Sequence, residues 1–377
     1  MRVTIIGPAY PLRGGIAHHT YWLRRQLKAR GHDVQVISFR RLYPALLFPG
    51  TTQQDASRLQ FDAEALPLLA PLSVTTWRKA IQATKAFAPD VVVFEWWQPF
   101  FGPMTGTLAR AFKRAGLRQI VECHNVFPHE GSLLDRRLLR FAFAPVDDFI
   151  THSMADQQKL VRLISHRRIH VSPLPRLDEF TGATASARDG RRLLFFGKVR
   201  RYKGLDVLLR ALPRALEQVN CELLIVGEFY EPIERYRRLV SQLGIESHVH
   251  IDNRYVANEE VPGIFAEADA LVLPYLSGSS SGVAQIALAN ALPMIASTAG
   301  GIAEAVADNI TGLLFPAGDA DALAGQIVRY FTEQLGPTFA ANLREPATAA
   351  PCCTLIEIIE AAARDGLGAS PAFSHSL

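Results

Sequence analysis

The chain has 377 residues, of which 49% are hydrophobic and 20% charged, and carries a net charge of +4 at neutral pH. This composition excludes a disordered or fibrous protein, and at about 150 residues per domain the length predicts two domains. The four cysteines, Cys123, Cys221, Cys352 and Cys353, form no CxxC pair, which argues against a structural zinc site and for a reducing compartment.

The chain opens with RVTIIG, a short apolar run closed by glycine and proline, which predicts a buried strand ending in a loop. Ile16, Tyr21, Trp22 and Leu27 then recur at helical spacing until Gly31, a C-terminal stop signal. DVQVISF predicts the next strand, so the first 40 residues read as a βαβ unit on a parallel sheet. The rhythm continues with APDVVVFEWW (strand), GTLARAFKRAGL (helix), RQIVECHN (strand) and DDFITHS (strand). Residues 178–190, DEFTGATASARDG, are small and polar and are expected to be a linker.

Beyond the linker the alternation restarts. RLLFFG, CELLIVG, HVHIDN, DALVLPY, PMIAST and TGLLFP predict strands. GLDVLLRALPRALE, IERYRRLVSQLG, NEEVPGIFAEA, GVAQIALANAL, GGIAEAVAD and DADALAGQIVRYFTEQ predict the helices between and after them. The expected organisation is an α/β N-terminal domain over 1–177, a linker over 178–190, a second Rossmann-like domain over 191–335, and C-terminal helices with a loose tail over 336–377. No apolar run reaches the roughly 18 residues of a spanning helix, and MRVTIIGPAYPLRGG turns polar too soon for a signal peptide, so a cytoplasmic protein is expected.

Three segments have the chemistry of anion sites. Arg13-Gly14-Gly15 precedes a helix, where glycines admit a ligand to unpaired backbone N–H groups. Gly197 to Gly204, GKVRRYKG, places Lys198, Arg200, Arg201 and Lys203 at the end of a strand, where such charges must be solvated or face anions. Ser279-Ser280-Ser281-Gly282-Val283 offers hydroxyls and a glycine at a helix start. The structural alternatives are a tight turn, a solvated basic loop and plain N-capping by Ser281. Charge is unevenly spread: residues 1–180 hold 24 Lys/Arg against 14 Asp/Glu, and the remainder 16 against 22. A basic first half predicts an anionic surface or substrate approaching it.

In this order and spacing the segments resemble the family-4 type glycosyltransferases of the GT-B fold. The resemblance runs from Met1 to about Gln334, through GPAYPLRGGIAHHTYWL, ECHNVFPHE, FFGKVRRYKGLDVLLRAL, VGEFYE, ADALVLPY, SSSGVAQIALANALPMIASTAGGIAEAV and DNITGLLFP. It implies two Rossmann-like domains facing each other across a cleft, with the C-terminal helices packing back towards domain one. It further implies a nucleotide-diphosphate sugar bound mainly by domain two, and an acceptor, a glycan or lipid-linked molecule, held by domain one. Transfer would proceed with retention, without metal and with no other cofactor. Gly14 and Gly15 match the glycine loop facing the donor phosphates, with Arg13 beside them. Lys198 stands where most members have arginine, Lys203 matches the family lysine, and Arg200 shares their role in neutralising the leaving diphosphate. His124 matches the strand-end histidine near the reacting sugar, and Glu304 matches a glutamate after the Gly300-Gly301 pair. Ser280, Ser281, Gly282 and Val283 complete the donor-binding set.

The sequence departs from the family at one place. Where most members carry two glutamates eight residues apart, this chain has Gly278 and Ile286, so it resembles a subset lacking the pair, and Glu228 in VGEFYE is the candidate substitute carboxylate. Trp96 and Trp97, in EWWQPFF, are expected either as an acceptor-stacking platform or as interior packing. The helix over 107–118 is either a weak membrane-surface element or a solvated basic face. The functional expectation is a retaining glycosyltransferase, cytoplasmic and touching anionic membrane only peripherally, with no nucleic-acid partner. The alternatives are a GT-B nucleotide-sugar epimerase and an inactive sugar-nucleotide binding protein. A dehydrogenase is disfavoured because neither domain opens with GxGxxG.

Overall fold

The computed structural model describes residues 1–44, 52–126, 133–164, 166–182, 191–345 and 353–367. Cys352, Pro128, His129 and Glu130 of the ECHNVFPHE segment, most of the expected linker and the end of the chain lie outside these residues. The chain forms two compact units: Met1–Asp55, Gln60–Pro173 and Cys352–Leu377 make the first, and Ala56–Leu59 with Leu174–Pro351 the second.

The first unit is built on seven parallel strands: β1 (Arg2–Ile6), β2 (Asp33–Phe39), β3 (Leu66–Leu69), β4 (Val91–Trp96), β5 (Arg118–Cys123), β6 (Asp148–Thr151) and β7 (Arg168–Val171). Their spatial order is β3-β2-β1-β4-β5-β6-β7. Side chains alternate across this sheet with period two. One face carries Val3, Ile5, Val93 and Ile120 under α1 (Gly15–Ala29), whose Trp22, Leu23 and Leu27 are buried against it. The other face carries Phe94, Trp96 and Val121 under α3 (Gly102–Arg114) and α4 (Leu133–Phe143). Two further helices, α2 (Val74–Phe87) and α5 (Met154–Val161), complete the crossovers.

The last helix of the chain, α12 (Cys353–Leu367), belongs to this unit. Its Leu355, Ile356, Ile359, Ala362 and Ala363 form one apolar stripe at helical spacing, buried with the α1 side of the sheet. Polar contacts fix it there: Glu360 pairs with His32 at 2.8 Å, and Asp365 with Arg168 at 2.6 Å.

The second unit has six parallel strands: β8 (Arg192–Phe196), β9 (Glu222–Val226), β10 (Val249–Asp252), β11 (Ala270–Leu273), β12 (Met294–Ser297) and β13 (Gly312–Phe315). Their order is β10-β9-β8-β11-β12-β13. Helices α6 (Leu205–Leu216), α7 (Ile233–Leu243), α8 (Val261–Ala266), α9 (Gly282–Ala289), α10 (Ala320–Thr332) and α11 (Leu335–Arg344) cover it. Leu193, Phe195, Leu208, Leu212, Leu223, Val272, Leu323 and Ile327 are buried together in its core. Both faces are covered, which is why these strands read as unbroken apolar runs.

Two expectations change in detail. Asp178–Phe180, read as the start of a linker, is a short 3-10 turn with Phe180 only 1% exposed, and its carbonyl accepts from Asn290 Nδ2 at 3.0 Å. The segment expected as a helix at GGIAEAVAD is a 3-10 turn over Gly300–Ala305. Gly300 has φ +53, and a Cβ there would overlap the Gly278 carbonyl, so the backbone turns too sharply to enter an α-helix directly.

In each sheet the strand order reverses once, between β1 and β4 and between β8 and β11. Doubly wound sheets bind ligands at the carboxyl ends of the strands flanking such a reversal.

Candidate active site

The second unit gathers its candidate residues at that reversal. The loop after β8 carries Gly197 to Gly204, and the loop after β9 lies beside it: Val199 N–H donates to Glu228 O at 2.9 Å. The segment after β11 touches the same loop, with Leu276 N–H donating to Tyr202 O at 2.7 Å. Glycines permit these approaches. A Cβ at Gly204, which has φ +67, would overlap the Pro274 carbonyl oxygen.

Lys203 is the central cation of this group. It is 7% exposed, and its Nζ lies 5.4 Å from the centre of the Tyr275 ring. Burial pulls its ammonium below the ordinary value, and the nearby Arg200 charge adds to that. Among the described residues it makes no ion pair. Lys198 and Arg200 flank one aromatic ring, Tyr230, at 5.6 and 4.7 Å. Ser281 caps α9, accepting from Ala284 N–H at 3.3 Å, and its hydroxyl lies 3.3 Å from Tyr275 Oη. Val283 lines the same corner, its Cγ2 being 3.3 Å from where a Gly197 Cβ would stand. Thus Lys198, Arg200, Lys203, Glu228, Ser281 and Val283 come from three adjacent strand-end segments, with Ser280 and Gly282 beside Ser281 on the third. Glu304 lies on the turn after β12, and its side chain is exposed.

The absent glutamate at position 278 has a steric counterpart. A Cβ on Gly278 would already meet Ile302 and Tyr275 side chains at 3.3–3.4 Å, and Ile286 is 7% exposed on α9. The space near Gly278 is filled by apolar side chains.

In the first unit, Gly14 caps α1 with φ 125, and Arg13 is buried beside it. His124 follows β5, its backbone N–H donating to Trp96 O at 2.8 Å. Its imidazole belongs to a buried cluster not foreseen in the sequence. Glu95 on β4 and Glu122 on β5 are cross-strand partners, so both point to the α1 face. His124 is two residues after Glu122 and shares that face; His19 reaches it from α1 and His152 from the end of β6. His124 Nε2 makes a short hydrogen bond with Glu95 Oε2. His19 Nε2 lies 2.7 Å and His152 Nε2 3.3 Å from Glu122 Oε1. His152 Nδ1 is 2.9 Å from Ser172 O, to which it donates. The small size of Gly7 matters, because a Cβ there would overlap Glu95.

The electrostatics follow from burial. Two buried carboxylates side by side cannot both ionise cheaply. Burial and then Glu122 hold the Glu95 carboxyl well above its usual range, so it is the acid. Burial would raise Glu122, but His19 and the other imidazoles hold it at about 2. Burial would lower His19, but Glu122 and Glu95 outweigh it and raise the imidazole to about 9. Burial and then the His19 charge press His124 to about 3 despite Glu122; burial likewise brings His152 to about 3 despite Glu122. At neutral pH the cluster therefore holds one ion pair, His19 with Glu122, and three neutral groups.

His19, Glu95, Glu122 and His124 each place a ligand atom within 4.8 Å of the others, a nitrogen and oxygen set of the kind that divalent ions accept. The His19–Glu122 separation of 2.7 Å is that of a charge-assisted hydrogen bond. The geometry is that of groups sharing protons.

The cluster makes a pH prediction. His124 and His152 have depressed values, so below about pH 6.5 the unfolded chain takes up protons that the folded one does not, and stability falls with pH. His19 and Glu95 have raised values. Their stabilisation is full at low pH and is lost as pH rises, for His19 through about 9. The urea midpoint should peak near pH 6–7 and decline on both sides, with a shallower acid limb in His152→Gln. A midpoint flat from pH 5 to 7 in both proteins would contradict the buried neutral imidazoles.

Trp96 corrects an expectation. It is 1% exposed and packs edge-on against Phe143 at 4.8 Å, so it is core and not an acceptor platform. The period of two decides this: Glu95 faces α1, so Trp96 faces α3 and α4. Trp97 is partly exposed, and its indole N–H donates to Tyr43 Oη at 3.0 Å. Three of the basic residues of α3 and its C-terminal flank are engaged locally: Arg110 lies 3.9 Å over the Phe141 ring, Lys113 pairs with Asp147 at 2.5 Å and Arg118 with Asp148 at 2.7 Å. Among the described residues no helix is long and apolar enough to cross a membrane.

Two doubly wound units, each with polar groups at its strand reversal, are the arrangement of the GT-B fold. Residues 14–175 match the glycosyl transferase 4-like domain, and residues 190–333 match the glycosyl transferases group 1 family. The D-inositol 3-phosphate glycosyltransferase of Acidothermus cellulolyticus is 28% identical over 378 residues, covering 89% of this chain and 81% of that protein. Other curated glycosyltransferases match over shorter stretches, in which the chain spans 33% to 49% of their length. Sucrose-phosphate synthase from Thermosynechococcus elongatus superposes with a TM-score of 0.76 at 19% identity, covering 98% of this chain and 100% of that one. Anabaena HepE in complex with UDP and glucose gives 0.74 at 16% identity, over 97% and 100% of the two chains. The chain belongs to the family-4 type glycosyltransferases of the GT-B fold.

Proposed function

We propose that the protein is a retaining glycosyltransferase that takes a sugar from a nucleotide-diphosphate sugar. The observation that carries this reading is Lys203, a buried cation without an ion-pair partner among the described residues, at a strand reversal beside the capped start of α9. A buried ammonium is costly unless an anion meets it. A diphosphate is an anion of suitable size and charge, and Lys198 and Arg200 stand beside Lys203 to share it. In this reading they stabilise the leaving nucleoside diphosphate by charge, so no metal is needed there. Arg13, Gly14 and Gly15 contribute at the start of α1, and Ser280 to Val283 at the start of α9. HepE, a solved protein of the same fold, binds UDP and glucose, which supports the donor class.

His124 acts on the donor sugar in this proposal, as the family resemblance implies. Glu304 and Glu228 are donor-binding carboxylates, the second replacing the glutamate pair. The acceptor is a glycan or lipid-linked molecule, and the excess of Lys and Arg over residues 1–180 favours an anionic one met in the cytoplasm, in part at a membrane surface.

A thermal-shift screen against UDP-, GDP- and ADP-sugars in EDTA tests the donor assignment, since a ligand bound only by the folded state raises the melting temperature. One nucleotide series should stabilise the protein without added metal. No shift with any of the three, or a shift seen only with a divalent ion, would overturn it.

A further inference from the structure

We propose that Glu95 is a positioning residue for His124: its neutral carboxyl donates to His124 Nε2 and fixes the imidazole with its remaining proton on Nδ1. The inference rests on the reading of His124 as part of the transfer site, but its geometry stands apart from that reading. The short contact between Glu95 Oε2 and His124 Nε2 needs one proton between the two atoms. Either atom could carry it, and the surroundings decide. The Glu95 side chain is fully buried and lies beside Glu122 in cross-strand register. His19, from α1, makes its 2.7 Å contact with Glu122 and so leaves Glu95 as the uncharged member of the carboxyl pair. Among the described residues the other carboxyl oxygen, Glu95 Oε1, is buried with no hydrogen-bond partner, so the acid proton is best placed on Oε2, where Nε2 can accept it.

The groups facing this contact come from three directions. His19 and His124 rings meet edge to face at 4.8 Å, and His152 lies 5.0 Å from His124 with its own Nδ1 proton committed to Ser172 O. The His19 charge beside His124 disfavours a second imidazolium, in keeping with the lowered value of His124. A neutral imidazole whose Nε2 is an acceptor must be a donor at Nδ1. The consequence for transfer is specific: the ring offers a hydrogen-bond donor and neither accepts at Nε2 from substrate nor carries charge.

The test is the tautomer itself, read by long-range ¹⁵N–¹H correlation of the histidine side chains in the full-length protein, with the His124 signals assigned by their loss in His124→Gln. Between pH 6 and 8 His124 should be neutral with its proton on Nδ1, while His19 in the same spectrum is an imidazolium. A His124 protonated on Nε2, or one that titrates near 6.5, would overturn the proposal whether or not the chain transfers sugar. A second measurement uses turnover. Glu95→Leu removes the donor at constant bulk and should lower kcat by on the order of 10-fold or more with KM for donor little changed. Glu95→Gln, whose amide can still donate to Nε2, should restore most of that loss. Equal losses in both variants would reduce Glu95 to packing, as would a Glu95→Gln spectrum with the His124 tautomer unaltered but activity lost.

Discussion

Lys203→Ala should lower turnover by on the order of 10²-fold or more, comparable to removing one preorganised donor from a charge-stabilising site. In the proposed site the charge it opposes would grow as the bond from sugar to diphosphate breaks, so kcat should fall more than donor affinity. Stability should behave in the opposite sense. Lys203 is buried, without an ion-pair partner among the described residues, and burial already lowers its affinity for the proton. Removing a desolvated charge while keeping the apolar stem relieves a cost, so Lys203→Met should be at least as stable as the parent in the absence of nucleotide. A variant that melts early and transfers normally would show the lysine to be a structural cation. Steady-state kinetics and thermal melts on the same preparations separate these outcomes.

His124→Ala should also lower turnover by on the order of 10²-fold, with nucleoside diphosphate affinity changed by no more than about twofold. His124 is on the first unit, whereas Lys198, Arg200 and Lys203 are on the second, so the cations proposed to meet the diphosphate survive the change. The substitution also leaves the Glu95 hydroxyl without its acceptor, which costs about 1–3 kcal/mol for a buried group. His124→Gln, whose carboxamide can still receive that proton, should recover stability without recovering turnover. Calorimetric titration with the nucleoside diphosphate beside a kinetic measurement checks both halves. Loss of nucleotide binding in His124→Ala would return the residue to a structural role.

The parallel sheets were legible because most of their strands are apolar-rich runs and α1, α3 and α7 are closed by Gly31, Gly116 and Gly244. DVQVISF is β2 residue for residue, and IERYRRLVSQLG is α7 with its terminal Gly244 at φ +65. The elements that escaped are the less periodic ones. LPLL and RIHV, β3 and β7, are edge strands of four residues with a proline or charges in them. Such strands are defined by the neighbour they pair with more than by their own pattern. At the site, the basic loop after β8 and the SSSG helix start were readable as local motifs. The His19–Glu95–Glu122–His124–His152 cluster was not, because its members come from α1, β4, β5 and β6 and meet only through strand register. The sole local hint was the ECH spacing, which puts Glu122 and His124 on one face of β5. Trp96 stayed open between platform and core for the same reason: the sequence shows two adjacent tryptophans, and the pairing of β4 with β5 tells which side of the sheet each takes.

The proposed reaction moves a glycosyl group from a nucleotide-sugar to an acceptor. It is tested most directly by following nucleoside diphosphate release from UDP-, GDP- and ADP-sugars in EDTA, with and without soluble glycan and lipid-linked acceptor fractions. Release is expected from one donor series, stimulated by acceptor, unaffected by EDTA and lost in Lys203→Ala, with the sugar's anomeric configuration kept in the product. Donor consumption that does not depend on acceptor, or tight donor binding with no release under any condition, would contradict it.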